Sequence, residues 1–204
     1  MTRGGIFGVA NKMCKEAGIL RIKEEIESCR RCDLWKTRKN PVPGEGSLNP
    51  NAMFIGEAPG FSEDLQGKPF VGRSGEVLGE LLGLIGLKRE EIFIGNVLKC
   101  RPPGNRDPRP EEIRKCTPYL NRQIALIKPK IIVTLGNFAT SYILERFGLK
   151  PENIGKVHGK VFSISNLILS AKIIPTYHPA VTLRNPDLRS LLVEDFKILK
   201  DVMQ

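Results

Sequence analysis

The sequence predicts an α/β fold, in which helices cover both faces of a parallel β-sheet. Four short apolar runs, each long enough for one strand, alternate along the chain with segments whose apolar residues recur at helical spacing. The chain has 204 residues, with 41% hydrophobic and 26% charged residues. This length and composition suit one globular domain with a sizeable core.

The alternation defines nine elements in chain order. They are a helix over 15–29, a strand over 52–56, a helix over 74–85, a strand over 92–95, a helix that opens at Pro110, a strand over 130–135, a helix over 137–146, a strand over 172–177 and a last helix capped by Asn185-Pro186. Pro118 is expected to kink or restart its helix. A proline at position 175 predicts that the fourth strand lies at an edge or ends irregularly.

Three glycines four residues apart lie in the second predicted helix. Each of Gly75, Gly79 and Gly83 costs about 1 kcal/mol relative to alanine in a helix. We therefore expect close backbone packing along this row. At the other end of the chain, the glycine-rich residues 1–14 are predicted to be a flexible extension of a single domain over 15–204.

The charge balance predicts a polyanionic partner. The formal net charge is +10 and the isoelectric point is near 9.5, which favours nucleic acid, although a basic surface kept for solubility is the alternative. No apolar run reaches about 18 residues, and residues 1–12 lack the apolar stretch of a signal peptide. A cytoplasmic or nucleoid location is expected. Only three glutamines occur, which favours a thermophilic source.

Four of the five cysteines have the pattern of a metal site. Cys29 and Cys32 are separated by two residues, and Cys100 and Cys116 would have to join them from distant sequence. In a reducing compartment such cysteines are ligands more often than disulfides. Four thiolates suit zinc or an iron–sulfur cluster, and the spacing leaves both open. A redox-active pair is disfavoured because these cysteines end a helix, and Cys14 remains as a free thiol.

Polar residues follow three separate strands. Glu57, Asn96 and His178 each come directly after an apolar run. Open α/β sheets bind ligands at the carboxyl ends of their strands, so these side chains are predicted to form one site. Capping of strand ends is the alternative for Asn96 and His178. Loop arginines, among them Arg101 and Arg184, suit contacts with phosphates, with a solvated face as the other possibility.

Several motifs resemble those of the family 4 uracil-DNA glycosylases, which are bacterial and archaeal iron–sulfur enzymes. They are Gly-Glu-Ala-Pro-Gly at 56–60 with Glu-Asp at 63–64, Gly-Lys-Pro-Phe-Val-Gly at 67–72, Asn-Val-Leu-Lys-Cys-Arg-Pro-Pro at 96–103 and Tyr-His-Pro-Ala at 177–180. The resemblance runs in order over about residues 20–203. It implies a three-layer α/β/α fold around a central, mainly parallel sheet of four strands. It also implies a [4Fe–4S] cluster on Cys29, Cys32, Cys100 and Cys116.

The implied activity is hydrolysis of the N-glycosidic bond of uracil in single- or double-stranded DNA by base flipping, which starts base excision repair. Phe70 would stack on the flipped uracil, Asn96 would read its edge, and the backbone around Ala58 would contact the base. His178 would stabilise charge on uracil O2. Leu183 and Arg184 would lie in the loop that enters the duplex. A monomer is expected, with a sliding clamp as a possible partner.

The catalytic acid departs from the wider superfamily. Better-known members have Gln-Asp where this chain has Glu57-Ala58, so the water-activating aspartate is absent and Glu57 is the expected general base. Glu63 or the backbone at 60–61 is expected to exclude the methyl group of thymine. No lysine or N-terminal nucleophile lies at these strand ends, so strand cleavage is not expected. Two alternatives remain: a non-catalytic zinc module that binds nucleic acid, and a glycosylase with broader specificity for deaminated bases.

Overall fold

The structure, a computed structural model, describes residues 3–167 and 169–204, with side chains from residue 13 onward. Its strands are β1 (Glu45–Gly46), β2 (Met53–Gly56), β3 (Phe93–Asn96), β4 (Ile131–Leu135), β5 (Phe162–Ser165) and β6 (Ser170–Thr176). Its α-helices are α1 (Arg3–Glu27), α2 (Phe61–Gln66), α3 (Arg73–Leu84), α4 (Pro110–Ile127), α5 (Asn137–Arg146), α6 (Ile154–Val157) and α7 (Leu188–Met203).

The strands form one sheet in the order β1-β3-β2-β4-β6-β5. The four central strands are parallel, and they are the four that the apolar runs predict. Two short antiparallel strands, β1 and β5, extend the sheet at its edges and were not predicted. The sheet is therefore wider than expected, while its parallel centre agrees with the prediction.

Helices pack on both faces of this sheet and complete three layers. The side chains of alternate residues in β2 point to opposite faces of the sheet, as the pleat of a strand requires. Phe54 packs in a cluster with Leu78 of α3 and Phe196 of α7. Ile55 packs on the other side with residues of α4 and α5, among them Leu120. Within residues 3–167 and 169–204, none of the helices has the length and apolarity to span a membrane.

Some element boundaries differ from the predictions. Helix α1 begins at Arg3 rather than near residue 15, and the flexibility of residues 1–14 stays a prediction, with residues 1 and 2 outside the described part of the chain. Helix α4 continues through Pro118 instead of restarting there. Pro175 lies within β6, which is not an edge strand because β5 pairs with it on its outer side. The pairing with β5 extends only to Ile173, so the proline lies beyond the end of that ladder.

The glycine row of α3 is only partly explained by close packing. A Cβ atom on Gly75 would lie 2.0 Å from the carbonyl oxygen of Phe70, so the segment before α3 requires a glycine there. Around Gly79 and Gly83 there is open space, and the expectation of close packing at these two positions is wrong.

The two kinds of glycine predict opposite effects on stability. Gly75→Ala should lower the free energy of unfolding by about 1–3 kcal/mol, because the methyl group collides with backbone that cannot move aside. Gly79→Ala, on the exposed side of the same helix, should raise it by about 1 kcal/mol. Denaturant unfolding of both variants measures this, and destabilisation of equal size in both would contradict it.

Candidate active site

A cavity of about 580 Å³ opens at the carboxyl ends of β2, β3 and β6. Seven of the predicted site residues line it: Glu57, Ala58, Glu63, Phe70, Asn96, His178 and Arg184. Open α/β sheets bind ligands at this edge, and the volume is in the range of small-molecule sites. A larger cavity of about 970 Å³ lies elsewhere and contains none of the predicted residues.

Asn96 lies at the end of β3, in register with Gly56 of the neighbouring strand. Its side chain is 1% exposed, and its Oδ1 atom has no hydrogen-bond partner. A Cβ atom on Gly56 would lie 2.4 Å from this oxygen and 2.8 Å from Cζ of Phe70. Glycine is thus required for both side chains to approach the strand end. A buried acceptor without a donor costs about 1–3 kcal/mol, so a ligand with an N–H group would complete this site.

His178 follows β6 and is held in one tautomer. Its Nδ1 atom accepts a hydrogen bond of 3.1 Å from the backbone N–H of Ala180. Burial lowers the pKa of His178 to about 4, against the opposing effect of Glu63. The ring is therefore neutral at physiological pH, and its one proton is on Nε2. The imidazole can donate from Nε2 but cannot carry a positive charge to the site.

Phe70 is stacked on His178, with ring centroids 5.5 Å apart and planes 28° from parallel. Its backbone has a φ of 52°, a left-handed conformation that is rare for a bulky residue and costs about 1–3 kcal/mol. Arg89 stabilises this conformation, since its guanidinium donates to the carbonyl oxygens of Phe70 (2.9 Å) and Pro69. Sequence reasoning missed Arg89, which lies 19 residues away and belongs to no motif.

Glu63 connects the two loops that border the cavity. Its Oε1 accepts hydrogen bonds of 2.9 Å from the backbone N–H groups of Val71 and Gly72, and its Oε2 accepts one of 3.1 Å from that of Gly60. Its carboxylate thus fixes the segment after β2 relative to the segment after Phe70. The exclusion of the thymine methyl group by Glu63 stays a prediction.

Glu57 is half-buried at the end of β2, and its carboxylate has no hydrogen bond among the described residues. Burial, together with the nearby charge of Asp107, raises the pKa of Glu57 to about 7. Asp107 also lines the cavity, and sequence reasoning missed it because nothing in its own segment points to Glu57. A carboxyl group with a pKa near neutrality can exchange a proton with water at physiological pH.

The rim of the cavity is basic and partly apolar. Arg184 lines it, and Leu183 is next to it with 45% of its surface exposed. Arg101 does not line the cavity; its guanidinium lies 5.1 Å from the ring centroid of Phe61, which is 56% exposed. Arg106 also lines the cavity, but it is engaged in a bidentate ion pair with the buried Glu112 of α4 at 2.9 and 2.6 Å.

The four predicted metal-ligand cysteines belong to one cluster. Cys100 and Cys116 are buried, and Cys29 and Cys32 are half-buried against the same side chains. Arg38 donates to Sγ of Cys100 at 3.0 Å, and the backbone N–H of Lys99 donates to Sγ of Cys116 at 3.2 Å. Among the described side chains, no three histidine, cysteine or acidic residues form a group that could hold a single metal ion.

Burial affects the protonation of this cysteine site and its surroundings. It raises the pKa of Cys116 to about 12 and lowers the pKa of Lys99 to about 8. Metal binding displaces protons from such thiols. Cys14 is exposed and lies outside the cluster.

The raised pKa of Glu57 predicts a stability effect that depends on pH. The folded protein binds this proton more tightly than the unfolded chain, whose carboxyl has a pKa near 4.5. The resulting stabilisation is complete below that value and is lost as the pH rises through about 7. Glu57→Gln should therefore raise the melting temperature, relative to the unaltered protein, more at about pH 8 than at about pH 5. Glu111→Gln, an exposed acid outside the cavity, is the control, and an equal effect of Glu57→Gln at both pH values would contradict the prediction.

Comparison with known proteins agrees with this arrangement. The family sequence model of the uracil DNA glycosylase superfamily matches residues 43–200 of this chain. The chain is 50% identical over 183 residues to the type-4 uracil-DNA glycosylase of Saccharolobus solfataricus, covering 89% of this chain and 85% of that protein. It is 51% identical to the type-4 enzyme of Archaeoglobus fulgidus, with coverage of 86% and 88%, and 42% identical to that of Thermotoga maritima, with coverage of 90% and 93%. The chain therefore belongs to the uracil-DNA glycosylase superfamily, within its type-4 family.

Proposed function

We propose that this uracil-DNA glycosylase, a DNA-repair hydrolase of N-glycosyl bonds, acts on a uracil nucleotide that has been flipped out of DNA into the cavity at the strand ends. The observation that carries the proposal is the unpartnered, buried Oδ1 atom of Asn96 in a cavity that also contains Glu57, Phe70 and His178. A non-catalytic zinc module is excluded by the family to which the chain belongs.

Asn96 would select uracil by its hydrogen-bonding edge. Uracil offers an N3–H donor and an O4 acceptor, and an asparagine amide offers the matching acceptor and donor. The free Oδ1 atom would accept from N3–H, which satisfies the buried oxygen only when the ligand is present. Cytosine reverses both positions and would leave two buried groups unpaired. Mismatches of this kind discriminate between substrates by orders of magnitude.

Glu57 and His178 can stabilise the opposite charges that develop in the reaction. When the bond between C1′ and N1 breaks, its electron pair stays with uracil, and positive charge develops on the sugar. The Nε2–H group of the neutral His178 would donate to uracil O2, where the negative charge accumulates. A water molecule would then add to C1′ and transfer a proton to the carboxylate of Glu57. No lysine lines the described cavity, and hydrolysis without strand cleavage stays a prediction.

DNA binding has to offset the cost of flipping, which is a few kcal/mol. Stacking of a base on an aromatic ring contributes about 1–3 kcal/mol, and Phe70 is the ring available in the cavity. The exposed side chain of Leu183 would occupy the space left in the duplex. Arg184 at the rim and Arg101, which lies over the exposed ring of Phe61, would contact phosphates. The backbone of Ala58 would contact the base, and the segment held by Glu63 would limit space at C5.

A [4Fe–4S] cluster is the group that Cys29, Cys32, Cys100 and Cys116 would hold. Four thiols that lie in one hydrophobic cluster of side chains are the donor set that an iron–sulfur cluster requires. When bound, the cluster supplies four iron–sulfur bonds that cross-link the end of α1, the loop after β3 and helix α4.

The cellular setting follows from the substrate and the charge. DNA as substrate and a net charge of +10 favour a cytoplasmic protein associated with the nucleoid. Action as a monomer stays a prediction. Recruitment by a sliding clamp stays a prediction.

Excision on defined oligonucleotides tests the function. We expect abasic sites in single- and double-stranded oligonucleotides that contain uracil, and far slower release of the base from matched oligonucleotides with thymine or cytosine. Hypoxanthine in the same context tests for broader specificity for deaminated bases. The absence of abasic product from every uracil substrate would overturn the proposal.

Substitution of Asn96 separates base recognition from chemistry. Asn96→Asp removes the amide donor, so the ratio of uracil to cytosine excision should fall by about 10-fold or more. His178→Ala should slow excision of uracil without changing that ratio, because its proposed partner O2 is present in both bases. Single-turnover rates on the two substrates measure the ratio. An unchanged ratio in Asn96→Asp would refute the proposed role of the amide.

A further inference from the structure

The side chain of Lys99 is a buried cation close to the proposed uracil site. Only 1% of its surface is exposed. Its Nζ atom donates to the backbone oxygen of Asn96 at 3.0 Å and to Oε1 of Gln123 at 2.8 Å. Gln123 is fixed in turn by a 2.8 Å bond from its Nε2 to the carbonyl oxygen of Pro43. The ammonium therefore has a defined position, but both of its hydrogen-bond acceptors are neutral.

Thiolates that bind a cluster would supply the negative charge that this ammonium needs. A buried ion without a countercharge costs several kcal/mol, and no carboxylate pairs with Lys99 in the described part of the chain. Cys100, its neighbour in sequence, and Cys116, which lies against its backbone, are two of the proposed cluster ligands. The backbone N–H of Lys99 itself bonds to Sγ of Cys116 at 3.2 Å. Lys99 thus contacts the cysteine site through its backbone and the peptide of Asn96 through its side chain.

The segment between Asn96 and Cys100 also positions the adjoining strand end. The N–H group of Val97 donates to the carbonyl oxygen of Gly56, and that of Leu98 donates to the carbonyl oxygen of Glu57, both at 2.9 Å. These backbone bonds do not involve the side chain of Lys99, so its loss should act on the peptide of Asn96 and leave the backbone of Glu57 in place.

We propose that Lys99 is a positioning residue for uracil recognition, whose buried ammonium couples the four-cysteine site to Asn96. The inference rests on the proposed function, in which a cluster is bound to the cysteines and Asn96 reads the base. Lys99 does not contact the substrate. It acts by fixing the peptide of Asn96, and the negative charge of the cluster thiolates stabilises it in that place.

A double-mutant cycle tests the coupling. Lys99→Met keeps most of the side-chain volume and removes the charge, and it should lower single-turnover excision of uracil by about 10- to 100-fold, the size expected for a small misplacement of a binding group. In the Asn96→Ala background the same substitution should have little further effect, because Lys99 acts through Asn96. Lys115→Met is the matched control, since Lys115 is exposed next to Cys116 and makes no bond to Asn96. It should leave excision unchanged in both backgrounds.

The midpoint potential of the cluster gives a readout that does not depend on activity. Removing a nearby positive charge makes reduction less favourable, so Lys99→Met should lower the potential measured by protein-film voltammetry, while Lys115→Met changes it less. Gln123→Glu covers the case in which Lys99→Met does not fold. Its carboxylate would neutralise the ammonium and draw it away from Asn96. The midpoint potential of the cluster should therefore fall. The excision rate should fall as well, but only when Asn96 is present.

The outcomes separate the inference from the function on which it rests. Wild-type protein without iron and sulfide, or without excision of uracil, would overturn the proposed function and this inference with it. With both present, the inference alone is overturned if the folded Lys99 and Gln123 variants retain full excision. It is equally overturned if their loss of excision persists in the Asn96→Ala background, or if their cluster potential equals that of the wild type.

Discussion

The parallel register between β2 and β3, which places Gly56 opposite Asn96, is the constraint on which the site depends. Because position 56 has no side chain, Oδ1 of Asn96 and the ring of Phe70 can both approach the strand end. The same pair of strands continues into hydrogen bonds that fix the backbone of Glu57. A shift of register by one residue would turn Asn96 away from the cavity, since side chains alternate between faces along a strand.

The electrostatics of the site follow from burial more than from ion pairs. Burial raises the pKa of Glu57 to about 7 and lowers the pKa of His178 to about 4, so an acid and an imidazole in one cavity can both be neutral in the resting protein. Titratable groups whose environments shift them in opposite directions are typical of acid–base catalysis. Positive charge lies at the rim, at Arg184, where a DNA backbone would pass. The proposed chemistry and the proposed DNA binding thus use separate parts of the surface.

The sequence predicted the parallel centre of the sheet and the residues at its strand ends, because apolar runs and the polar residues after them are local signals. It did not predict β1, a strand of two residues that is too short to produce a pattern. It also could not show that Arg89 supports the backbone of Phe70, or that Asp107 acts on Glu57. These interactions join segments far apart in the chain and depend on the path of loops. Close packing was expected around Gly79, but a glycine in a helix does not reveal whether it faces a neighbour or solvent.

The central claim is that Asn96 reads the edge of uracil in this cavity. A crystal structure of the protein with free uracil bound tests it most directly. We expect the base against the ring of Phe70, with N3–H within hydrogen-bond distance of Oδ1 of Asn96 and O2 at Nε2 of His178. Uracil bound outside the cavity, or bound within it with Oδ1 of Asn96 still unpaired, would contradict this account.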